Sequence, residues 1–268
     1  MDVARAHRAV PARWDCEISS PLSTRIVNEF EVSISTVEHL MAALVGCGIH
    51  NARIDVTAGE VPIMDGSASV FVRAFLNAGI VAQRAPVKAL RVLKPVEVRR
   101  GDAVARIMPH KTLLIEFDIE FEDQAIGAQS KKLNMSNGSF VRELCSSRTF
   151  CRQADVDHMQ ANGLALGGSP GENAVVFDGD KIVSPGGLRH ADEPVRHKML
   201  DALGDLGLAG VPILGHYQGI RAGHALTNDL LRALFADREA FEIVECDPKM
   251  LSLLPGAGVH LGELPEVA

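Results

Sequence analysis

A chain of 268 residues that is 47% hydrophobic carries enough apolar side chain for a large core, in one or two domains. Its net charge of −7, with the basic residues scattered, excludes a nucleic-acid footprint. The five cysteines are odd in number with no CxxC pair, the N-terminus lacks the apolar centre of a secretory signal, and no run approaches the ~20 apolar residues of a spanning helix, so a disulfide framework, a cysteine zinc site and a membrane protein are all disfavoured and a soluble cytoplasmic protein is expected.

In chain order, Ser35 to Gly46 reads as a helix, with Ser35 and Glu38 at the spacing of a capping box. Residues 51–59, "NARIDVTAG", alternate as a strand. "VPIMDGSA" is a loop, and Ser67 to Ala78 is a helix that Gly79 ends. The polar, proline-containing stretch Val81–Lys88 marks a domain boundary. Strands follow in "ALRVLKPVEV", "AVARIMP" and "TLLIEFDIEF", with a turn at "RRGD". A helix falls near Ser139–Cys145, and "VVFDGDKIV" is a hairpin whose Asp-Gly pair favours a tight turn. After it come the helix in "VRHKMLDALGDLGLAG", a strand in "VPILGHYQGI" and a last helix in "HALTNDLLRALF". The tail after Leu251 reads as loosely ordered. Strands and helices mix without a regular βα repeat or a glycine-rich nucleotide fingerprint, which makes the fold class α+β. A faint internal repeat aligns Glu38–Gly48 with His197–Gly207, matching apolar pairs and the final glycine.

The helix that begins near Val195 poses the chemical question. Met199, Leu200, Leu203 and Leu206 give it an apolar face, yet His197, Asp201 and Asp205 recur every fourth residue. Four residues advance a helix by about 40°, so the three form one narrow polar stripe. His197 and Asp201 can converge on a common point. A divalent cation is one thing that would hold them there, with His39 of "STVEHL" as a third ligand and Glu38 beside it to take a proton from bound water. The plainer alternative is a surface or capping pair on one helix and a cap on the other. His224, which opens the last helix with Asp205 as a partner, adds a third signal. Together the set suggests a metal-dependent hydrolase.

Six stretches in order, "ISTVEHLMAAL", "PIMDGSA", "SRTF", "GLALGGS", "VRHKMLDALGDL" and "GHALTNDLL", resemble the UDP-3-O-acyl-N-acetylglucosamine deacetylases, zinc amidases of lipid A biosynthesis in Gram-negative bacteria. The resemblance is continuous from about Ile26 to Val244. It implies two α+β domains of similar topology, each a mainly antiparallel sheet, with helices packed between the sheets. Residues 1–84 would form the first domain, 85–251 the second, and 252–268 a tail. It also implies a Zn²⁺ ion held by His39, His197 and Asp201, with Glu38 as general base. His224 would be the acid, oriented by Asp205. Thr149 would face the oxyanion, and Lys198 would lie near the substrate and the reaction centre. The substrate would be a UDP-sugar lipid, with contacts from Phe121, Phe150, Lys198 and Arg221. An insert at residues 148–168 would build an acyl passage, with Phe150, Met159 and Leu164 as candidate lining. The chain would be a monomer.

Three departures from the family pattern stand out. The usual opening strands and a "G-x-G-L-H" loop are missing, so the first domain is expected to be shortened. A usual "F-x-H-P-x-I" reads "FEDQAI", which puts Asp123-Gln124 in place of His-Pro. A usual "T-F-G-F" reads "TFCR", which brings in Cys151 and Arg152. The first departure raises the alternative of a catalytically weak paralogue that binds sugar nucleotide or lipid. The second raises that of a deacetylase for another N-acetyl sugar.

Overall fold

The computed structural model describes residues 7–18, 20, 22–156 and 173–265. It opens with a small antiparallel meander of β1 (Glu17–Ile18), β2 (Arg25–Val27) and β3 (Ser33–Ile34). Two helices follow, α1 (Glu38–Gly46) and α2 (Ser69–Ala78). Next come β4 (Lys88–Val92), β5 (Val96–Arg100), β6 (Ala103–Pro109), β7 (Leu113–Glu120), β8 (Ala128–Asn134), α3 (Ser139–Glu143) and β9 (Phe150–Arg152). The rest is β10 (Val175–Asp178), β11 (Lys181–Ile182), α4 (Glu193–Gly207), β12 (Ile213–Ile220), α5 (His224–Ala236), β13 (Phe241–Glu245) and α6 (Pro248–Leu251). Helices and antiparallel-rich sheets make the fold α+β, as the sequence implies.

The main sheet has seven strands built around β12. Over Gly215–Ile220, β12 runs antiparallel to β6 on one side and parallel to β7 on the other. Its first residues pair with β4, which carries β13. The alternation in β7 turns Leu113, Ile115, Phe117 and Ile119 into the core. A further small sheet joins β9, β10 and β11, with the last two forming the expected hairpin. One apolar core runs through Ile26, Val37, Leu40 and Val72 as well as Leu90, Ile107, Leu200 and Leu230, and so is continuous across residue 84.

Helix α4 lies on β7 and β8 and against α1. Its leucine face is buried, and the crossing with α1 is close because Gly204 has no side chain. A Cβ there would stand 2.0 Å from the Glu38 carbonyl oxygen. The two helices that the faint repeat aligns are therefore packed on each other at the point where α1 begins.

Several sequence expectations change here. Helix α1 begins at Glu38, and no side chain caps it. Ser35 is extended: its N–H donates to Gly59 and its carbonyl accepts from Val61, which commits it to a bridge with Glu60. Helix α2 begins at Ser69 because Ser67 is held by Asp65, through both its N–H and its hydroxyl. Residues 51–58 form no strand. Alternation yields a strand only where a neighbour takes up the backbone hydrogen bonds, and among the described residues none pairs there. Ile54 and Val56 stay exposed at the border of a groove of about 740 Å³ lined by Leu40 and Leu44 of α1. The segment after Leu251 is packed rather than loose. Leu254 is buried, Gly256 lies against the Gly48 backbone, and the Leu253 carbonyl accepts from Ser136.

Candidate active site

The polar stripe of α4 is buried: His197, Asp201 and Asp205 are 2%, 5% and 1% exposed. The His197 ring is fixed by a hydrogen bond of 3.0 Å from Nδ1 to the Ser147 carbonyl. A carbonyl only accepts, so Nδ1 carries the proton and Nε2 presents a lone pair. That Nε2 lies 3.2 Å from Asp201 Oδ1, and His39 Nε2, delivered by the first turn of α1, lies 3.5 Å from the same oxygen. The two imidazoles meet edge to face. Asp201 Oδ1 is buried without a hydrogen-bond partner. One ligating atom from each of His39, His197 and Asp201 falls within 4.8 Å of the others. An orphaned carboxylate oxygen facing two imidazole nitrogens is costly unless a cation joins them. The two-nitrogen, one-oxygen donor set suits a divalent ion with an open position. The other Asp201 oxygen accepts from Lys198 Nζ at 3.0 Å. Burial by itself would raise the Asp201 carboxyl, but the His197 imidazole beside it and the Lys198 and His224 cations outweigh it and hold the group well below the usual carboxylate range.

Glu38 and His224 flank this cluster, with His224 Nε2 4.0 Å from Glu38 Oε1 and 3.7 Å from Asp201 Oδ2. Burial, reinforced by Asp201 and Asp205 and opposed by His224 and His39, pushes the Glu38 carboxyl up, which suits a group that accepts a proton. His224 Nδ1 donates to Asp205 Oδ2 at 3.0 Å. Burial disfavours the imidazolium, yet the Asp205 and Asp201 carboxylates raise His224 to about 9, so it is cationic at neutral pH. Thr24, unmarked in the sequence, ties Glu38 to Asp205. Its N–H donates to Glu38 Oε2 at 3.0 Å and its hydroxyl to Asp205 Oδ1 at 2.5 Å. A threonine in a loop carries no periodicity or motif, so only the fold reveals this role.

Around the cluster, Thr149 is fastened through its backbone, with its N–H to Gly66 and its carbonyl to Val175. The Phe150 ring stands 6.4 Å from the His197 ring and 5.5 Å from that of Phe121. Two of the departures from the family pattern meet each other: the Arg152 guanidinium donates to the Asp123 carboxylate, which also accepts from the Gly179 N–H. Arg221 is elsewhere engaged. Its guanidinium is held by Glu120, with Asp102 3.9 Å away, beside a surface pocket. Met159 and Leu164 lie outside the described residues.

On this α+β frame, three convergent ligating atoms set between a buried carboxylate and a carboxylate-backed imidazole could hold a metal ion and move protons in hydrolysis. The particular family follows from comparison with known proteins. The family model described as UDP-3-O-acyl N-acetylglycosamine deacetylase matches residues 1–236, and the chain belongs to that family. The chain is similar to the UDP-3-O-acyl-N-acetylglucosamine deacetylase of Shewanella frigidimarina, 44% identical over 94% of this chain and 84% of the relative. The protein of the same name from Shewanella violacea is 46% identical over 88% of this chain and 78% of the relative. Among the described residues no helix is long and apolar enough to cross a membrane.

Proposed function

We propose that this protein hydrolyses the 2-acetamido group of a UDP-3-O-(3-hydroxyacyl)-N-acetylglucosamine, releasing acetate and leaving a free amine, as a zinc-dependent step of lipid A biosynthesis. The observation that carries this reading is the convergence of His39 Nε2, His197 Nε2 and the unpartnered Asp201 Oδ1 between Glu38 and His224. A zinc ion held by these three side chains would polarise the acetamide carbonyl and lower the pKa of a bound water.

The chain's own groups divide the remaining work. Glu38, raised by burial, accepts the proton of the attacking water. His224, kept cationic by Asp205, gives a proton to the departing nitrogen, without which an amine leaves poorly. Lys198, whose Nζ donates to Asp201, and Thr149, two residues beyond the Ser147 carbonyl that holds His197, would be the donors for charge that develops on the carbonyl oxygen. Phe150, whose ring stands 6.4 Å from that of His197, would with the neighbouring Phe121 offer apolar surface to an acyl chain. Elemental analysis after dialysis tests the metal reading. The wild-type chain should retain stoichiometric zinc and His197→Ala should lose it. Tightly bound zinc in His197→Ala would refute the ligand assignment.

A further inference from the structure

The peptide group between Ser147 and Arg148 is gripped at both ends by α4. Its carbonyl accepts from His197 Nδ1 at 3.0 Å, and its N–H donates to Glu193 Oε1 at 2.8 Å. Glu193 and His197 are one helical turn apart, so one carboxylate and one imidazole on a single helix face are joined by a single planar peptide.

Glu193 is itself fully committed. It is 1% exposed and also accepts from the Arg148 side chain at 3.0 and 3.1 Å and from the Arg189 N–H at 2.7 Å. Arg189 passes the restraint on to Asp65 and to the Ser146 carbonyl, each at 2.9 Å. The segment 145–149 is thus fastened on both sides of the one carbonyl that sets the His197 tautomer.

We infer that Glu193 is a positioning residue for His197, acting through the Ser147–Arg148 peptide. A carboxylate that accepts from a peptide N–H draws electron density toward the carbonyl oxygen at the other end, and linked hydrogen bonds strengthen one another. The Ser147 oxygen becomes a better acceptor, the Nδ1–H bond is polarised, and the Nε2 lone pair becomes more basic toward a metal. Metal-ligating histidines commonly hand their second N–H to a carboxylate or a carbonyl. Here the charge of a carboxylate reaches the ring through a carbonyl. The same grip fixes the ring plane and places the neighbouring Thr149. This rests on the metal centre proposed above.

The test uses the full chain and Glu193→Gln, which keeps the shape and an acceptor oxygen but removes the charge. Glu17→Gln is the control, since Glu17 is another buried carboxylate, held by Arg232, and among the described residues its side chain makes no hydrogen bond or ion pair with a group of the site. Zn²⁺ affinity is measured by competition with a chromophoric chelator. In the metal-free chain, the His197 Nδ1–H resonance is read by NMR on ¹⁵N-histidine-labelled protein. Loss of a partner behind a metal ligand typically weakens binding about 10–100-fold, so Glu193→Gln should weaken Zn²⁺ by roughly that factor and move the resonance upfield, while Glu17→Gln changes neither. Unchanged affinity and resonance in Glu193→Gln would overturn the inference, as would equal weakening in Glu17→Gln. A wild-type chain that binds no zinc overturns the metal reading instead, and the resonance, read without metal, still decides for or against Glu193.

Discussion

Alanine at Gly204 would force α1 and α4 apart at the point where Glu38 begins its helix. The added Cβ would lie 2.0 Å from the Glu38 carbonyl oxygen, 2.8 Å from its carbonyl carbon and 3.1 Å from the Ala42 nitrogen, whereas ordinary contact starts at 3.4 Å. All three obstacles are backbone, so no side chain can turn aside, and the helices must part by about 1.4 Å. Overpacking of this kind costs about 1–3 kcal/mol, which a domain of this size tolerates. The functional cost is larger, because the displacement separates Glu38 and His39 from His197 and Asp201. A shift of about 1 Å can cost roughly 10²-fold in rate. Gly207, one turn on, is an internal control: the nearest atoms to a Cβ there belong to the Val45 and Met41 side chains, not to backbone. Steady-state deacetylation and Zn²⁺ affinity should therefore fall about 10²-fold and measurably in Gly204→Ala, with a folded spectrum, and little in Gly207→Ala. Wild-type activity and metal affinity in Gly204→Ala would refute the claim that this crossing sets the site.

Glu38→Gln and His224→Ala should each lower kcat by about 10²–10⁴-fold while zinc content stays normal, and full activity in either variant would remove that residue from the acid–base pair. Thr24→Val removes the hydroxyl that holds Asp205 Oδ1 but keeps the N–H that holds Glu38. Its kcat should fall with little change in KM, and an unchanged kcat would show that Asp205 needs no such support. Stability should also depend on pH through Glu193. Burial would raise this carboxyl, but the Arg148 guanidinium and the Arg148 and Arg189 N–H groups hold it below its ordinary value. A depressed folded-state value means that its stabilisation is complete above the unfolded value of about 4.3 and disappears as the pH falls through the folded value. Thermal unfolding should therefore show Glu193→Gln less stable than wild type by about 1.5–3 kcal/mol at neutral pH, with the gap closing in acid. A gap that does not vary with pH would contradict this.

The elements with strong periodicity could be read directly. The leucine face of α4, the alternation of β7 and the Asp-Gly hairpin all appear where residue pattern and local geometry agree. The strands β8 and β13 could not be read so easily, since β8 buries no side chain fully and β13 is an edge strand with charged residues. Residues 51–58 show the opposite failure, with a strand pattern that lacks a partner. In the site, His197, Asp201 and Asp205 were legible because helical spacing aligned them, and His39 because its motif marked it. Thr24, Glu193 and the Ser147 carbonyl were not, because each acts through a contact made across many residues of sequence. The Asp123–Arg152 pair was visible only as two separate departures, and the fold joins them.

In the proposed function, His39, His197 and Asp201 hold a metal on which amide hydrolysis by this chain depends. This dependence is tested most directly by acetate release from UDP-3-O-(3-hydroxyacyl)-N-acetylglucosamine, measured before chelation, after removal of the metal, and after return of stoichiometric zinc. Chelation should abolish acetate release by the wild-type chain and zinc should restore it, with no restoration in His197→Ala or Asp201→Ala. Acetate release that survives complete removal of metal, or that zinc restores equally in those variants, would contradict it.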